Sequence, residues 1–279
     1  MENNNDMSNI NNEMISILIV SYNAEKYIEK TIQSCLNQTY KNIEILLLDN
    51  ASKDNTIEIV KKMQAYDNRI MIFESKKNLG PYAGLNFLLG KAKGEYVAIQ
   101  DHDDIWFPEK IEKQVEFLEK NKDFVACGTN TFYYYESRKL LVLNKKSAVT
   151  NFVDHTSLMF RNQGFRYDEK YLLADEYFEK KILFSKGKIV CLQVPMTIHR
   201  IKGDGTNLSS SRFKISLKNV KDFFVINKIN FSSSVYFVDL LLGRYLPDRF
   251  VWFIRKNITQ KNSIWISLED FSEKYHIDL

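Results

Sequence analysis

The chain has 279 residues, of which 44% are hydrophobic and 27% charged, a composition typical of globular proteins and not of a wholly disordered chain. Lysine and arginine number 39 against 35 acidic residues, and the resulting net charge of +4 is too small to indicate a nucleic-acid-binding protein. The three cysteines are far apart and include no CxxC pair, which favours neither a disulfide framework nor a structural zinc site.

The first hundred residues alternate strand and helix patterns. Residues 1–13 are polar and rich in asparagine, without the basic and apolar regions of a signal peptide, and we expect a disordered tail there. No apolar run reaches the ~18 residues that a membrane-spanning helix needs. Apolar runs and helical spacing then predict strands at 15–20, 43–48, 69–73 and 95–100, and helices at 24–38, 54–66 and 81–93. Such alternation indicates right-handed βαβ units and a mostly parallel sheet.

The remaining chain is predicted to be less regular. A helix at 108–121 precedes two or three aromatic-rich strands within 124–143, and a helix at 171–185 precedes a strand at 188–194. Residues 212–261 hold 10 Lys or Arg and 3 Asp or Glu among many aromatic residues. We expect helices that cover the sheet, with a side that faces an anionic membrane; simple solvation of the basic residues is the alternative.

Polar clusters follow three of the predicted strands. They are Ser21 to Asn23, Asp49 with Asn50, and Asp101 to Asp104. Ligands of parallel sheets lie outside the carboxyl ends of the strands, so these clusters mark a candidate site. Taken singly, Asp and Asn are also common as turn and cap residues.

The acidic cluster carries the strongest chemical signal. Three carboxylates within four residues repel one another unless a cation is held between them. Mg²⁺ or Mn²⁺, typically bound by one or two carboxylates together with substrate phosphates, is the natural candidate. A solvated acidic turn that caps the next helix is the alternative.

Several segments in a fixed order carry a family resemblance. The chain resembles the family 2 glycosyltransferases with the GT-A fold over about residues 15–205. The matching segments are 17–23, 34–40, 48–54, 78–80 with Asn86, and the DxD-like 101–104. The resemblance implies an α/β fold with a Rossmann-like, mostly parallel central sheet flanked by helices. It also implies a catalytic domain over 14–205 and a mainly helical extension over 206–279.

The resemblance implies roles for the site residues. Asp103 would hold Mn²⁺ or Mg²⁺, Asp101 would contact the metal, a bound water or the ribose, and His199 would complete the metal shell before a glycine-containing loop at 203–205. Asp49 would accept the N3–H of uracil or thymine. Arg200 or Lys202 would pair with phosphate. The other residues expected on the donor side are Ser21, Tyr22, Asn23, Asn78, Gly80 and His102, the last with its ring expected to point outward.

The family's base is one carboxylate of an acidic pair at a helix start. Here the pair is Asp175-Glu176, in the reverse of the usual order. Position favours Glu176 as the base that takes the acceptor's proton, with Asp175 in reserve. An acidic first turn that only complements the helix dipole is the alternative. His155 is expected in the acceptor-facing region, and Trp106 either shapes the acceptor pocket or packs at a helix start.

The sequence therefore predicts a metal-dependent inverting transferase. It would move a sugar from a UDP- or dTDP-sugar to a hydroxyl of a glycan or lipid-linked glycan, as in bacterial surface polysaccharide synthesis. We expect it in the cytoplasm, peripheral to the inner face of the membrane. The alternatives are an inactive glycan-binding module and a sugar nucleotidyltransferase, although the glycine-rich phosphate loop of the latter is missing at 21–23.

Overall fold

A computed structural model describes residues 13–171, 173–202, 223, 225, 226, 264–277 and 279. The expected tail up to residue 12, the loop at 203–205 and nearly all of the basic aromatic segment at 212–261 lie outside these residues. Among the described helices, none is both long enough and apolar enough to cross a bilayer.

The described residues form one mixed sheet with helices on both faces. The strands are β1 Ile15–Ser21, β2 Ile43–Asp49, β3 Ile70–Glu74, β4 Tyr96–Asp101, β5 Ile105–Trp106, β6 Phe124–Tyr135, β7 Leu140–Asn144, β8 Val149–Thr150, β9 Met159–Arg161, β10 Lys188–Ile201 and β11 Trp265–Ser267. The α-helices are α1 Ile28–Leu36, α2 Thr56–Tyr66, α3 Pro81–Leu89, α4 Lys110–Lys120, α5 Ala174–Tyr177 and α6 Leu268–Tyr275.

The first four strands form the parallel part of the sheet, in the spatial order β3-β2-β1-β4. The chain therefore adds strands on one side of β1 and then crosses to its other side for β4. This reversal is a topological switch point, where a crevice opens at the carboxyl ends of the strands. Beyond β4 the neighbours become antiparallel, through β9 and β6.

Side-chain alternation along β1 explains why helices cover both faces. Ile17 and Ile19 pack with residues of α1, α2 and α4, whereas Leu18 packs with α3 on the opposite face. All three side chains are fully buried, and each such burial contributes about 1.5–3 kcal/mol to stability. The continuous apolar run of this strand thus reflects burial on both faces.

Two elements differ from the pattern read in the sequence. The helix expected over 171–185 is a single α-turn, α5, followed by a π-helical turn at Phe178–Leu183. The strand expected at 188–194 extends to Ile201, because its second half pairs with both β5 and β6.

The last described segment joins the main sheet. Strand β11 pairs antiparallel with β7, and Phe271 of α6 is fully buried against the rings of Phe107 and Phe132. Phe223 packs near Leu173 in a small separate cluster. The described part of 206–279 therefore adds one strand to the sheet and packs a helix against it.

Candidate active site

The ends of three adjacent strands set the position of the site. Ser21 lies in register with Asp49 on β2, and Val20 lies in register with Asp101 on β4. A cleft of about 540 Å³ opens at this edge, on the β4 side of the switch point. Its lining includes Val20, Pro81, Tyr82, Leu85, Gln100, Asp101, His102, Asp103, Tyr133, Asn144, Lys146, Phe152, Asp154, His155, Thr156, Asp175, Lys180, His199 and Lys202.

A tight turn shapes the acidic motif. The backbone N–H of Asp104 donates to the carbonyl of Asp101 at 3.2 Å, which turns the Asp104 side chain inward. Asp104 is fully buried, and its carboxylate accepts from the backbone N–H of Arg200 at 2.8 Å. Its other oxygen lies 2.9 Å from Nδ1 of His199. The inward turn therefore ties the motif to β10.

Three potential metal ligands lie close together. They are one carboxylate oxygen each of Asp101 and Asp104 and one ring nitrogen of His199, all within 4.8 Å of one another. Carboxylate oxygen and imidazole nitrogen together suit Mn²⁺, and also Mg²⁺ where the oxygens dominate. Among the described residues this is the group with the spacing and chemistry of a divalent-metal site. The sequence had predicted Asp101 and His199, but with Asp103 in place of Asp104.

Asp103 has a different partner. Its carboxylate lies 2.7 Å from Nζ of Lys202, and both side chains are nearly buried. The turn that points Asp104 inward directs Asp103 toward the end of β10. Asp103 still lines the cleft, but it lies outside the cluster formed by the other two carboxylates and His199.

The charges of the cluster shift its protonation. Burial disfavours the charged form of His199, but the neighbouring Asp104, with Asp101 and Asp103, outweighs burial and raises its pKa to about 10. Burial likewise acts to raise the pKa of Asp101, yet the interaction with His155 and the charges of His199 and His102 lower it to about 2. Burial raises the pKa of Asp104. In the absence of a cation the carboxylates therefore hold His199 in its protonated form, and His199 would release that proton on binding a metal.

Two further histidines line the cleft. The ring of His102 does not point away from the site, because its Nδ1 lies 3.2 Å from the carbonyl oxygen of Val20. His155 lies between Asp101, 3.7 Å from its Nδ1, and the hydroxyl of Tyr167, 2.9 Å from its Nε2. His155 therefore links Asp101 of the acidic motif to Tyr167.

Asp49 lies beside the cleft and retains an unused acceptor. One carboxylate oxygen accepts from the backbone N–H of Ser52 at 3.1 Å. The other oxygen is buried and has no hydrogen-bond partner among the described residues. A buried acceptor without a donor is costly, which makes this oxygen a candidate for a ligand N–H.

The remaining residues expected on the donor side mostly support the loops. Asn50 accepts from the N–H of Leu79 and donates to the side chain of Asn78, which itself accepts from the N–H of Gly80. Gly80 has a φ of 81°, a conformation that favours glycine. Asn78 and Gly80 thus shape the turn before α3 and do not line the cleft.

The loop after β1 is built in a similar way. Asn23 bridges to the next loop, since its N–H donates to Ser52 and its side chain accepts from the N–H of Lys53. Ser21 is fully buried and Tyr22 is 39% exposed. These residues lie next to Asp49 and do not line the cleft. The ring of Tyr22 is exposed there and is accessible to a nucleotide base.

The structure separates the two candidate bases. Asp175 lines the cleft and accepts a hydrogen bond from the hydroxyl of Tyr82 at 2.9 Å. Glu176 is only 2% exposed and forms an ion pair of 2.7 Å with Lys180, one helical turn later. The residue that the sequence favoured therefore does not line the cleft, although its partner Lys180 does, and the reserve candidate lines it directly.

The wall of the cleft around Asp154 was largely missed in the sequence. The carboxylate of Asp154 accepts from Tyr133 at 2.9 Å and lies 3.0 Å from Nζ of Lys146. Asn144 donates to both the Tyr133 hydroxyl and Asp154. These residues come from β6, from β7 and the loop after it, and from the segment before β9. In the sequence, only the short polar run around His155 indicated a functional role for this region. Trp106, by contrast, is buried and does not line the cleft.

Comparison with known proteins gives a consistent result. The model of the family described as "Glycosyl transferase family 2" matches residues 16–176. An uncharacterized glycosyltransferase of Haemophilus influenzae is 31% identical over 82% of this chain and 94% of its own length. A second relative is the Escherichia coli UDP-Glc:alpha-D-GlcNAc-diphosphoundecaprenol beta-1,3-glucosyltransferase WfaP, 40% identical over 44% of this chain and 47% of its own.

A solved structure extends the similarity to the fold. The mannosyltransferase PcManGT of Pyrobaculum calidifontis, in complex with GDP-Man and Mn²⁺, has a TM-score of 0.61 and 16% identity, covering 78% of this chain and 65% of that one. Such likeness confirms the expected GT-A architecture, and the family match supports a glycosyltransferase over a nucleotidyltransferase. The chain belongs to glycosyl transferase family 2 and is a glycosyltransferase.

Proposed function

We propose that the protein transfers a sugar, with inversion, from a nucleotide-diphosphate donor to a hydroxyl of a glycan or lipid-linked glycan. The reaction would depend on a divalent cation held by Asp101, Asp104 and His199. The observation that carries this proposal is the position of that group at the switch point of the sheet, where Asp101 and His199 line a cleft that Asp175 also lines.

The donor set fits a divalent cation. Two carboxylates and one imidazole offer the mixed oxygen and nitrogen ligands that Mn²⁺ accepts readily, and PcManGT was solved with Mn²⁺. When bound, the cation would neutralise the charge that develops on the departing diphosphate. Lys202, now paired with Asp103, lines the same cleft and is placed to pair with a phosphate oxygen.

Asp49 would select the base of the nucleotide. Its unpartnered buried oxygen is suited to accept the N3–H of uracil or thymine. UDP-glucose is the donor in the name of WfaP, which supports a pyrimidine. GDP-mannose, the ligand of PcManGT, is the purine alternative that a donor screen must include.

Asp175 would act as the general base. The acceptor oxygen attacks the anomeric carbon of the donor, the bond from that carbon to the phosphate oxygen breaks, and the acceptor proton passes to the Asp175 carboxylate. The Tyr82 hydroxyl, 2.9 Å away, orients this carboxylate. Attack from the side opposite the leaving group inverts the anomeric centre.

The acceptor and the location follow from the same reaction. WfaP acts on a lipid-linked diphosphate sugar, which supports a related acceptor and a role in surface polysaccharide synthesis. The proposed location is the cytoplasmic face of the membrane, where a soluble donor meets a lipid-linked acceptor. Flotation with anionic vesicles at low salt tests the membrane contact, and absence of binding contradicts it.

A donor and acceptor screen tests the whole proposal. UDP-glucose, UDP-N-acetylglucosamine, a dTDP-hexose and GDP-mannose are incubated with Mn²⁺ or with EDTA, and with or without GlcNAc-diphosphoundecaprenol. We expect release of the nucleoside diphosphate that requires Mn²⁺ and increases with acceptor, together with an extended lipid-linked product. Release that is equal in EDTA contradicts the metal dependence.

The anomeric outcome needs a separate measurement. Proton NMR of the product reports the configuration at the new linkage, and retention contradicts a direct displacement with Asp175 as base. The Asp175→Asn variant tests the base itself and should give no product, because asparagine keeps the acceptor oxygen for Tyr82 and removes the basic charge.

A further inference from the structure

One buried carboxyl near the cleft has no part in the reaction described above. Glu179 lies in the π-helical turn directly after α5 and is fully buried. π-Helical turns are uncommon and occur often at functional sites. One oxygen of Glu179 has no hydrogen-bond partner among the described residues. Its burial therefore calls for an explanation.

The other oxygen of Glu179 holds the acceptor-side wall. It accepts from the backbone N–H of Val153 at 2.7 Å, across 26 residues of sequence. Val153 is fully buried between Phe152 and Asp154, which both line the cleft. Because a backbone N–H rather than a side chain is fixed, the contact sets the position of the whole segment.

The same helical segment makes a second contact with that wall. Nζ of Lys180 lies 4.9 Å from the ring centroid of Phe152 and 2.7 Å from Glu176. Asp175 begins the segment and points into the cleft. The proposed base and the two contacts to the wall therefore lie within six consecutive residues, 175–180.

We propose that Glu179 is a positioning residue, which fixes the wall formed by Phe152 and Asp154 relative to the base Asp175. This inference rests on the proposed function, since it assigns that wall to the acceptor. The carboxyl acts through the Val153 N–H and not on substrate. A displaced wall would misplace the acceptor hydroxyl from Asp175 while leaving the donor and metal side unchanged, and an error of about 1 Å there costs up to ~100-fold in rate.

The protonation of Glu179 determines which substitutions test its hydrogen bond to Val153. Burial raises the pKa of Glu179 well above its ordinary value, which favours the neutral form of the side chain. Glutamine is then the closest mimic, because it keeps the accepting oxygen in a neutral group. Leucine fills a similar volume without any acceptor. Glu179→Gln and Glu179→Leu therefore differ in the one contact that matters.

Two measurements test the proposal. In hydrogen exchange, Glu179→Leu should increase the exchange of the peptide that contains residues 151–157, and Glu179→Gln should not. In transfer from UDP-glucose to GlcNAc-diphosphoundecaprenol, Glu179→Leu should lower kcat/KM for the acceptor by about tenfold or more. The KM for donor and the Mn²⁺-dependent hydrolysis of donor by water should stay within about twofold.

A destabilised variant distinguishes positioning from a loss of fold. Val60→Ala removes buried methyl groups in α2, far from the cleft, and is expected to lower stability without changing the ratio of transfer to hydrolysis. Equal losses of transfer and hydrolysis in Glu179→Leu, or loss in Glu179→Gln as large as in Glu179→Leu, would overturn the proposal. If no donor and acceptor pair is active, the proposed function fails, and unchanged exchange at 151–157 overturns the positioning role independently.

Discussion

Asp104 and His199 are 95 residues apart in sequence, and their side chains meet at 2.9 Å where β5 begins beside β10. The register of β5 with β10 places Ile105 opposite Ile198, so the residues that precede and follow these two face one another. This pairing brings an imidazole into an acidic motif that the first half of the chain supplies. The proposed metal site therefore depends on the late strand as much as on the motif itself.

Asp104→Asn should impair the metal site more than Asp103→Asn. Asparagine keeps an acceptor for the Arg200 N–H but loses the charge that a cation requires. We expect metal affinity and metal-dependent turnover to fall by about 100-fold in Asp104→Asn, within the range seen when ligand shells are altered. Manganese titration by electron paramagnetic resonance measures the affinity directly.

Asp103→Asn provides the comparison for this test. It breaks the contact with Lys202, and we expect at most about a tenfold fall in Mn²⁺ affinity. The reverse order of the two variants would return the ligand role to Asp103, as the sequence motif alone suggested. Thermal denaturation of both variants checks that the fold is retained.

Asp175→Asn should abolish transfer while donor binding is retained. Removal of a general base typically lowers the rate by about 10²–10⁴-fold. Glu176→Gln should instead act on stability, because it removes the charge that pairs with the nearly buried Lys180. Breaking one side of a buried ion pair costs about 3 kcal/mol. Single-turnover rates and urea denaturation of both variants separate the two effects.

The opposite behaviour of the two variants would contradict Asp175 as the general base. If Glu176→Gln lost transfer at unchanged stability and Asp175→Asn kept it, the assignment made from sequence position would be right and the geometry would not describe the active state. Donor binding measured by calorimetry with UDP-glucose and Mn²⁺ should be equal in the two variants.

The sequence was sufficient for the parallel half of the fold but not for these assignments. The alternation of apolar runs and helical spacing is a local pattern, so β1 through β4 could be predicted from it. Which of Asp175 and Glu176 faces the cleft depends on the rotation of a single α-turn against its neighbours. Such rotation is set by packing, and a family motif with reversed order could not decide it.

The proposed metal ligands could not be predicted from local sequence patterns either, because they depend on the pairing of β10. The pairing of β10 with β5 joins segments that are far apart in the chain, and no local periodicity specifies its register. Asp103 and Asp104 are therefore equivalent in the sequence and become different only when Lys202 and His199 are placed beside them. The wall around Asp154 was missed for the same reason.

Asp49→Asn should weaken binding of uridine nucleotides. One atom of the asparagine can still accept from the Ser52 N–H, but the other then presents a donor where the base presents its N3–H. Loss of a hydrogen bond to a charged group costs about 1.5–3 kcal/mol, which corresponds to roughly a 10- to 100-fold weaker Kd. Calorimetry with UDP and Mn²⁺ measures this.

A comparison of UDP with GDP tests whether Asp49 recognises the base. GDP binding should change less than UDP binding if the N3–H of a pyrimidine is the natural partner. Equal affinity of wild type and Asp49→Asn for UDP would show that the buried oxygen does not meet the base. Mn²⁺ binding in the absence of nucleotide serves as the control and should be unchanged.

Lys110 gives a prediction about stability and pH. It is fully buried in α4, with Nζ 3.7 Å from the ring centroid of Trp106 and 2.8 Å from the side-chain oxygen of Gln114. Burial lowers its pKa from 10.5 to about 7. Between these two pH values the unfolded chain binds a proton at Lys110 that the folded chain does not, so the stability of the fold rises with pH across this window.

The contribution of Lys110 is isolated by comparison with Lys110→Met, whose side chain has similar length and no charge. The free energy of unfolding of the wild type, minus that of the variant, should increase from pH 7 toward pH 10 with a slope that approaches about 1.4 kcal/mol per pH unit. Below pH 7 the difference should be constant, because Lys110 is then protonated in both states. Urea denaturation between pH 6 and pH 10 measures it, and the exposed Lys113→Met in the same helix should show no such slope. A flat difference for Lys110→Met across the window would mean that Lys110 keeps its proton in the folded state, held by Gln114 and the indole ring of Trp106.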